Sequence, residues 1–235
     1  MRILLRAAAL PLLLAVAAAA APKKAAPKPA AGAASLLYIE GKVTVTLGGH
    51  RKEGREGDVL GDGDAVATAR KASAVILMPD GSRLKLRELS NITLDIPGAG
   101  GGELGGTLTL GGVFAKVTKR LAGAAGFHVR AADAVASVRG TQFFTAFGRQ
   151  GKKGKDLWVC VNEGAVDVSA KGADKAQRVA QGEGVLVKSG TDVTAPQAYD
   201  WTKKLNWNMD PARGSVEDHA DLDRAYSDLL DQDYR

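Results

Sequence analysis

The residues that could do chemistry are few and scattered. His50, His128 and His219 are the three histidines. They lie far apart, and none has a second ligand at metal-binding spacing. Cys160 is the only cysteine. No base accompanies it in sequence, and its neighbours Leu157, Val159 and Val161 are apolar, so it reads as a structural thiol in a strand. Gly61-Asp62-Gly63-Asp64, with Asp58 upstream, invites a calcium reading. A calcium loop needs acidic groups at alternate positions and a distant bidentate Glu, which are absent here, so turn chemistry is expected. No Gly-x-Ser-x-Gly elbow occurs. The glycines of Gly98 to Gly112 do not follow a phosphate-binding pattern, and nothing selects a carboxylate pair for glycoside cleavage. No cofactor is implied, and the sequence reads as non-enzymatic. Arg139 stands out: in a strand it could make a forked bond to Glu163 on a neighbouring strand, and a structural ion pair is expected before a ligand contact.

The elements that would position such residues centre on Phe127 to Phe147. Val135, Val138, Thr141, Phe143, Phe144, Thr145 and Phe147 are β-branched or aromatic, types that suit a pleated, half-buried surface. Gly140 interrupts the run, as glycines do at bulges. The stretch reads as one long kinked strand, or as two strands joined at Arg139-Gly140-Thr141. Aromatic residues are only 5% of the chain while glycines number 29. That balance favours many tight turns and short strands over a large aromatic core.

Met1 to Ala20 reads as a secretory signal peptide. Arg2 and Arg6 form the basic end, Ala7 to Val16 the apolar stretch, and the alanine run the cleavage site, with the cut expected after Ala20. An uncleaved anchor is the other reading, although the apolar stretch is short for a span of about 20 residues. No later segment reads as crossing a membrane. Residues 21–35 form a Pro/Ala/Lys linker, an extended spacer without core-forming side chains. The protein is thus expected in the periplasm or secreted. A lone cysteine then means stability without disulfides.

The net charge of +6 is unevenly spread. Residues 36–200 carry a net +4, whereas residues 215–235 hold seven acidic and two basic groups. Export and the lack of aromatic–basic interleaving argue against a nucleic-acid partner. Residues 36–193 read as a β domain. Gly41 separates two strands, Arg51 to Gly57 reads as a polar loop, and Pro79-Asp80-Gly81-Ser82 is a turn. Leu84 and Leu86 alternate with Arg83, Lys85 and Arg87, implying a sheet with one wet face. Pro97 to Gly106 reads as a flexible loop. Glu40-Gly41-Lys42-Val43-Thr44-Val45 matches Glu163-Gly164-Ala165-Val166-Asp167-Val168, and a Gly-[Asp/Glu] turn follows each. Two such units suit a mainly β fold, a β-solenoid or double-sheet domain of short strands.

Residues 194–235 read as a helical acidic tail. Ser215 resembles a cap, and Val216, Ala220, Leu222, Ala225, Tyr226, Leu229 and Leu230 form an apolar stripe. The tail either docks on the basic body or offers Val216, Leu222, Tyr226 and Leu229 to a partner. Docking is favoured because the stripe needs cover.

Val138-Arg139-Gly140-Thr141 with Phe143, then Glu163-Gly164 with Val166, then Gly182, resemble the FecR domain in order and spacing. Gly57 to Thr68 and the Asp80-Gly81-Ser82 turn extend the resemblance to about residues 36–190. It implies a β-rich periplasmic binding module. In the signalling members such a domain contacts an outer-membrane receptor and relays iron–siderophore status to a cytoplasmic sigma factor. This sequence departs from them, showing no anti-sigma region and no central transmembrane helix. The expected function is therefore an exported protein-interaction module of the cell envelope, with another envelope protein as partner. A binder of envelope glycan, stacking sugars on Trp158, Trp201 or Trp207, is the alternative.

Overall fold

The computed structural model describes residues 32–98, 101–118, 126–138, 140–149, 152–173, 175–222 and 224. The signal segment, linker residues 21–31, Arg139, Tyr226 and Leu229 lie outside them. Among the described residues no helix is long and apolar enough to cross a membrane.

The first half of the domain comprises β1 (Ala34–Glu40), β2 (Val43–Leu47), β3 (His50–Glu53), β4 (Val59–Leu60), β5 (Ala65–Thr68), β6 (Ser73–Leu77), β7 (Arg83–Leu86), β8 (Asn91–Asp95) and the long β9 (Leu104–Lys116). The second half adds β10 (Phe127–Ala131), β11 (Ala134–Val138), β12 (Gln142–Arg149), β13 (Lys152–Glu163), β14 (Ala165–Ala170), β15 (Gln177–Ala180), β16 (Glu183–Lys188), β17 (Asp192–Val193) and β18 (Gln197–Ala198). Among the described residues helical structure comprises α1 (Trp201–Lys204), one 3-10 turn at Pro211–Arg213 and the helical positions Leu222 and Arg224.

Two sheets result. Sheet I runs β4–β1–β6–β7–β9–β12–β13–β16, with β17 and β18 along β16. Sheet II runs β3–β2–β5–β8–β9–β10–β11–β14–β15. All pairs are antiparallel except β9 with β10. Strand β9 serves both sheets: Gly105 to Leu110 pair in sheet II, and Gly111 to Lys116 pair in sheet I. The expectation of a double-sheet β fold holds. One core lies between the sheets, with Val66, Leu84, Phe127, Phe143, Val159 and Val185 among its members. The longer strands contribute alternate residues to it, as the pleat requires.

Neighbouring strands pass between the sheets side by side. Gly41 carries β1 into β2 with φ +67°, and a Cβ there would lie 2.6 Å from the Lys71 carbonyl oxygen of the adjacent crossing. On the opposite end of sheet I, Gly140 has φ +74° and Gly164 φ +84°. Thr141 Oγ1 donates to the Ala165 carbonyl at 3.0 Å, and Val138 pairs with Val166. The two motif segments are therefore paired crossings, left-handed where only glycine fits without strain. The sequence repeat is also a structural one: β1–β2 and β13–β14 both leave sheet I for sheet II at a Glu-Gly, and β4 and β16 each return to pair with the preceding sheet I strand.

Four expectations are corrected. Phe127 to Phe147 forms three strands, because Ala132 adopts φ +48° and turns β10 into β11 before the Gly140 crossing. The loop expected through Gly106 gives way to β9 at Leu104. Gly105 and Gly106 are strand residues squeezed between neighbours, where a Cβ would overlap the His128 and Thr93 carbonyls. Arg51 to Glu53 belong to β3, an exposed edge strand whose charges discourage pairing with another chain. Residues 215–220 are not helical; their polar groups are taken up by the contacts described below. In addition, β1 begins at Ala34, two residues inside the span read as linker.

The crossings give a stability prediction. Gly41→Ala should cost about 2 kcal/mol or more, from a left-handed backbone plus contact with a neighbouring main chain. Gly48→Ala, also left-handed but in open space, should cost about 1 kcal/mol. Urea unfolding of the two variants measures the difference.

Candidate functional site

The outward face of sheet I is not wet. Phe114, Phe144, Ala146, Trp158, Cys160 and Leu186 point outward from β9, β12, β13 and β16 and form a second apolar cluster. Phe114 and Phe144 rings lie 4.5 Å apart, and Trp158 meets Phe144 edge-on at 5.6 Å. Residues 199–222 cover this face as a strap. Tyr199, Leu205 and Met209 are buried in the cluster, and Trp207 stands edge-on to Phe114 at 5.3 Å.

The alternating cations of β7 and the residue after it hold the strap. This corrects the wet-face reading. Period-2 alternation shows which residues leave the core, but not what lies on the far side. Lys85 is 1% exposed. Its ammonium donates to the Asn206 and Asn208 carbonyls, the latter at 3.0 Å, and sits 4.1 Å above the Phe114 ring. Arg87 pairs with Asp218 at 3.0 Å and donates to the Ala220 carbonyl at 2.6 Å. Arg83 reaches the Met209 carbonyl at 3.4 Å, and the Gln142 amide donates to the Trp207 carbonyl at 2.9 Å. The strap also folds upon itself. The Asn206 amide donates to the Ser215 and Glu217 carbonyls, and the Asp218 carboxylate accepts from the Asn206 N–H at 2.6 Å.

This docking places the residues expected to contact a partner. Val216 is 1% exposed and committed within the chain, and Leu222 packs at the margin of the outer cluster. Trp158 is fully buried, so it cannot stack on a sugar. Trp207 is packed against Phe114, and the Lys204 ammonium lies 4.5 Å from the Trp201 ring. Cys160 lies beneath the strap, where burial pushes its thiol up to about 12. That fits a structural thiol.

The remaining candidates are structural. Asp58 takes Lys52 Nζ at 2.7 Å and the Arg55 N–H at 2.8 Å. Burial opposes its ionisation, but these bonds prevail and hold it below the usual carboxylate range. Asp62 accepts from the Ile96 N–H, and Asp64 from Gly48 and Gly61. The three carboxylates thus serve turns. His128 is buried on the outer side of sheet II, its Nε2 2.8 Å from Asp95, which also binds Arg130 at 3.1 Å. His50 is exposed on β3, and His219 meets Glu217 at 3.1 Å. Among the described residues no three His, Cys, Asp or Glu side chains are grouped to hold a metal ion. Phe143, Val138 and Val166 are core residues, Thr141 is buried at its crossing, Glu163 is exposed beside Gly164, and Gly182 turns β15 into β16.

A groove of about 700 Å³ opens where the strap ends. Arg70, Lys71, Leu89 and Leu110 line one side and residues 217–222 the other. Leu110 is 45% exposed. Lys71 and Leu89 both have φ +54°, a backbone that non-glycine residues adopt only at a cost. The Lys71 N–H is fixed by the Glu88 carboxylate at 2.7 Å.

Fold and site together define a two-sheet β domain closed by its own C-terminal strap. Residues 64–167 match the family model described as FecR protein. No curated protein matches the sequence. Two crystal structures of a provisionally assigned anti-sigma factor from Parabacteroides distasonis ATCC 8503 are similar in fold. Each superposes with a TM-score of 0.50 at 18% identity, over 60% of this chain. The matched part spans 61% of those proteins' own length.

The buried Lys85 gives a pH prediction. Burial lowers it from 10.5 to about 8; Asp218 opposes the shift and Arg87 adds to it. Between those two values the unfolded chain binds more protons, so this group's contribution to stability increases as pH rises through 8 towards 10.5. Relative to Lys85→Met, the native protein should gain up to about 3 kcal/mol across that window. Paired urea titrations at pH 7 and pH 10 check the sign.

Proposed function

We propose that the protein is an exported, non-enzymatic FecR-like module that binds another protein of the cell envelope. The groove beside the strap carries this reading. It offers exposed Leu110 next to Arg70 and Lys71, facing Glu217 and Asp221, on an unusually shaped backbone, which suits a peptide segment with an apolar anchor and charged neighbours. The FecR domain supports a signalling-related role. So does the fold shared with a provisionally assigned anti-sigma factor. The basic, apolar and small-residue order of Met1 to Ala20 supports export.

Two measurements test the proposal. N-terminal sequencing of protein from the periplasmic fraction should begin at Ala21; recovery of the whole chain from cytoplasm would remove the export part. Crosslinking in intact envelopes should capture a protein with the native chain. The Arg70→Glu, Lys71→Glu double variant should reduce that capture roughly tenfold, about 1.4 kcal/mol of binding. Equal capture by both would move the contact away from the groove. No protein captured by either, with both sedimenting with purified cell wall, would replace the protein partner by a glycan.

A further inference from the structure

The strap has the properties of a removable cover. Its grip is largely on main chain: Arg83, Lys85, Arg87 and Gln142 reach carbonyls of Asn206, Trp207, Asn208, Met209 and Ala220. Such bonds select an extended backbone more than a particular sequence. Side-chain recognition adds apolar anchors two residues apart, Leu205, Trp207 and Met209, flanked by Tyr199 and Leu222, and Asp218 on Arg87. The face and the cover also differ in origin. Arg83, Lys85, Arg87, Phe114, Phe144 and Trp158 all lie within the span that matches the FecR family, whereas every strap residue lies beyond it. Finally, covering the face buries the Lys85 ammonium, which opposes docking as an apolar residue there would not.

We infer that the outer face of sheet I is a peptide-binding surface masked by the chain's own residues 199–222. Its occupant in trans is an extended acidic segment of a partner protein with apolar side chains at alternate positions. The strap displays that chemistry itself, and the row of cations beneath it gives the charge complementarity. The inference rests on the reading of the chain as a protein-binding module, and it adds a competition: the partner segment gains the face when the strap leaves it.

Cys160 is a built-in reporter, since it is the only cysteine and lies under the strap. Its reaction with a disulfide reagent at pH 8 is followed in the mature chain and in Asp218→Asn, with and without low urea. Local opening predicts a rate nearly independent of urea below the unfolding transition, and at least tenfold faster in Asp218→Asn. A fluorescent peptide of residues 199–222 should then bind Asp218→Asn at least tenfold more tightly than the native chain, and the same peptide with Leu205→Ser, Trp207→Ser and Met209→Ser should bind neither. If Asp218→Asn does not fold, Arg87→Lys, which keeps the charge and loses the forked contacts, takes its place. Labelling that follows global unfolding in every variant overturns the inference. So does a loosened strap that admits no peptide, or peptide binding seen only with dimers formed by strap exchange. Envelope capture that persists while Cys160 stays protected would overturn the inference and leave the module reading standing.

Discussion

The contact between the cations of one strand and the carbonyls of an irregular segment organises this structure. Arg83, Lys85 and Arg87 leave sheet I on the face opposite the core, and each meets main-chain oxygen of the strap. A buried ammonium or guanidinium without such partners would be costly, by several kcal/mol. Conversely, the strap has little regular structure, so many of its carbonyls need donors from elsewhere. Each part supplies what the other lacks. The aromatic cluster of Phe114, Phe144 and Trp158 gains its cover from the same contact.

Three layers follow from this: sheet II, sheet I and the strap. The glycines at the crossings allow them to form. At Gly41 and Gly164 the chain leaves sheet I for sheet II while an adjacent strand pair passes alongside, and a side chain would meet the neighbour's backbone. Strand β9 makes its own passage at Gly111, and so lies in both sheets and joins the two repeated halves. The strap joins them again, from β7 in the first half to Gln142 and the β13–β16 surface in the second.

Much of the fold was legible in the sequence because it rests on local pattern. Alternation around Gly41, the Asp80-Gly81 turn and the repeated Glu-Gly-x-Val-x-Val units report pleat and turn chemistry residue by residue. The hairpin at Ala132-Asp133 was not legible, since alanine carries no signal for a positive φ. Nor were Gly105 and Gly106 legible as strand. Their role is to let neighbouring chains approach, which only the packed sheet reveals. The site was the least legible part. Arg83, Lys85 and Arg87 have the spacing of an ordinary solvent-facing stripe, and residues 215–220 have that of a helix. What decides between helix and strap is the distant β7, more than 120 residues earlier. The signal that favoured docking was the apolar stripe in need of cover, beside an acidic tail on a basic body; of that stripe Ala220 and Leu222 pack on the outer cluster.

The division between face and cover bears on what such a domain can do. A β domain whose outer face carries Phe114, Phe144 and Trp158 cannot leave them in water without exposing a large apolar patch, which in a soluble chain marks an interaction surface. Here the match to the FecR family ends at residue 167, before β16 and the strap complete that face. Most of the face therefore lies inside the matched span, and its cover is formed by residues 199–222, outside it. Closure by buried cations and main-chain carbonyls is strong enough to hold the extension in place. It is also less committed to one sequence than an interlocked apolar core would be. A surface closed in that way combines a stable resting state with a geometry that other extended segments can satisfy.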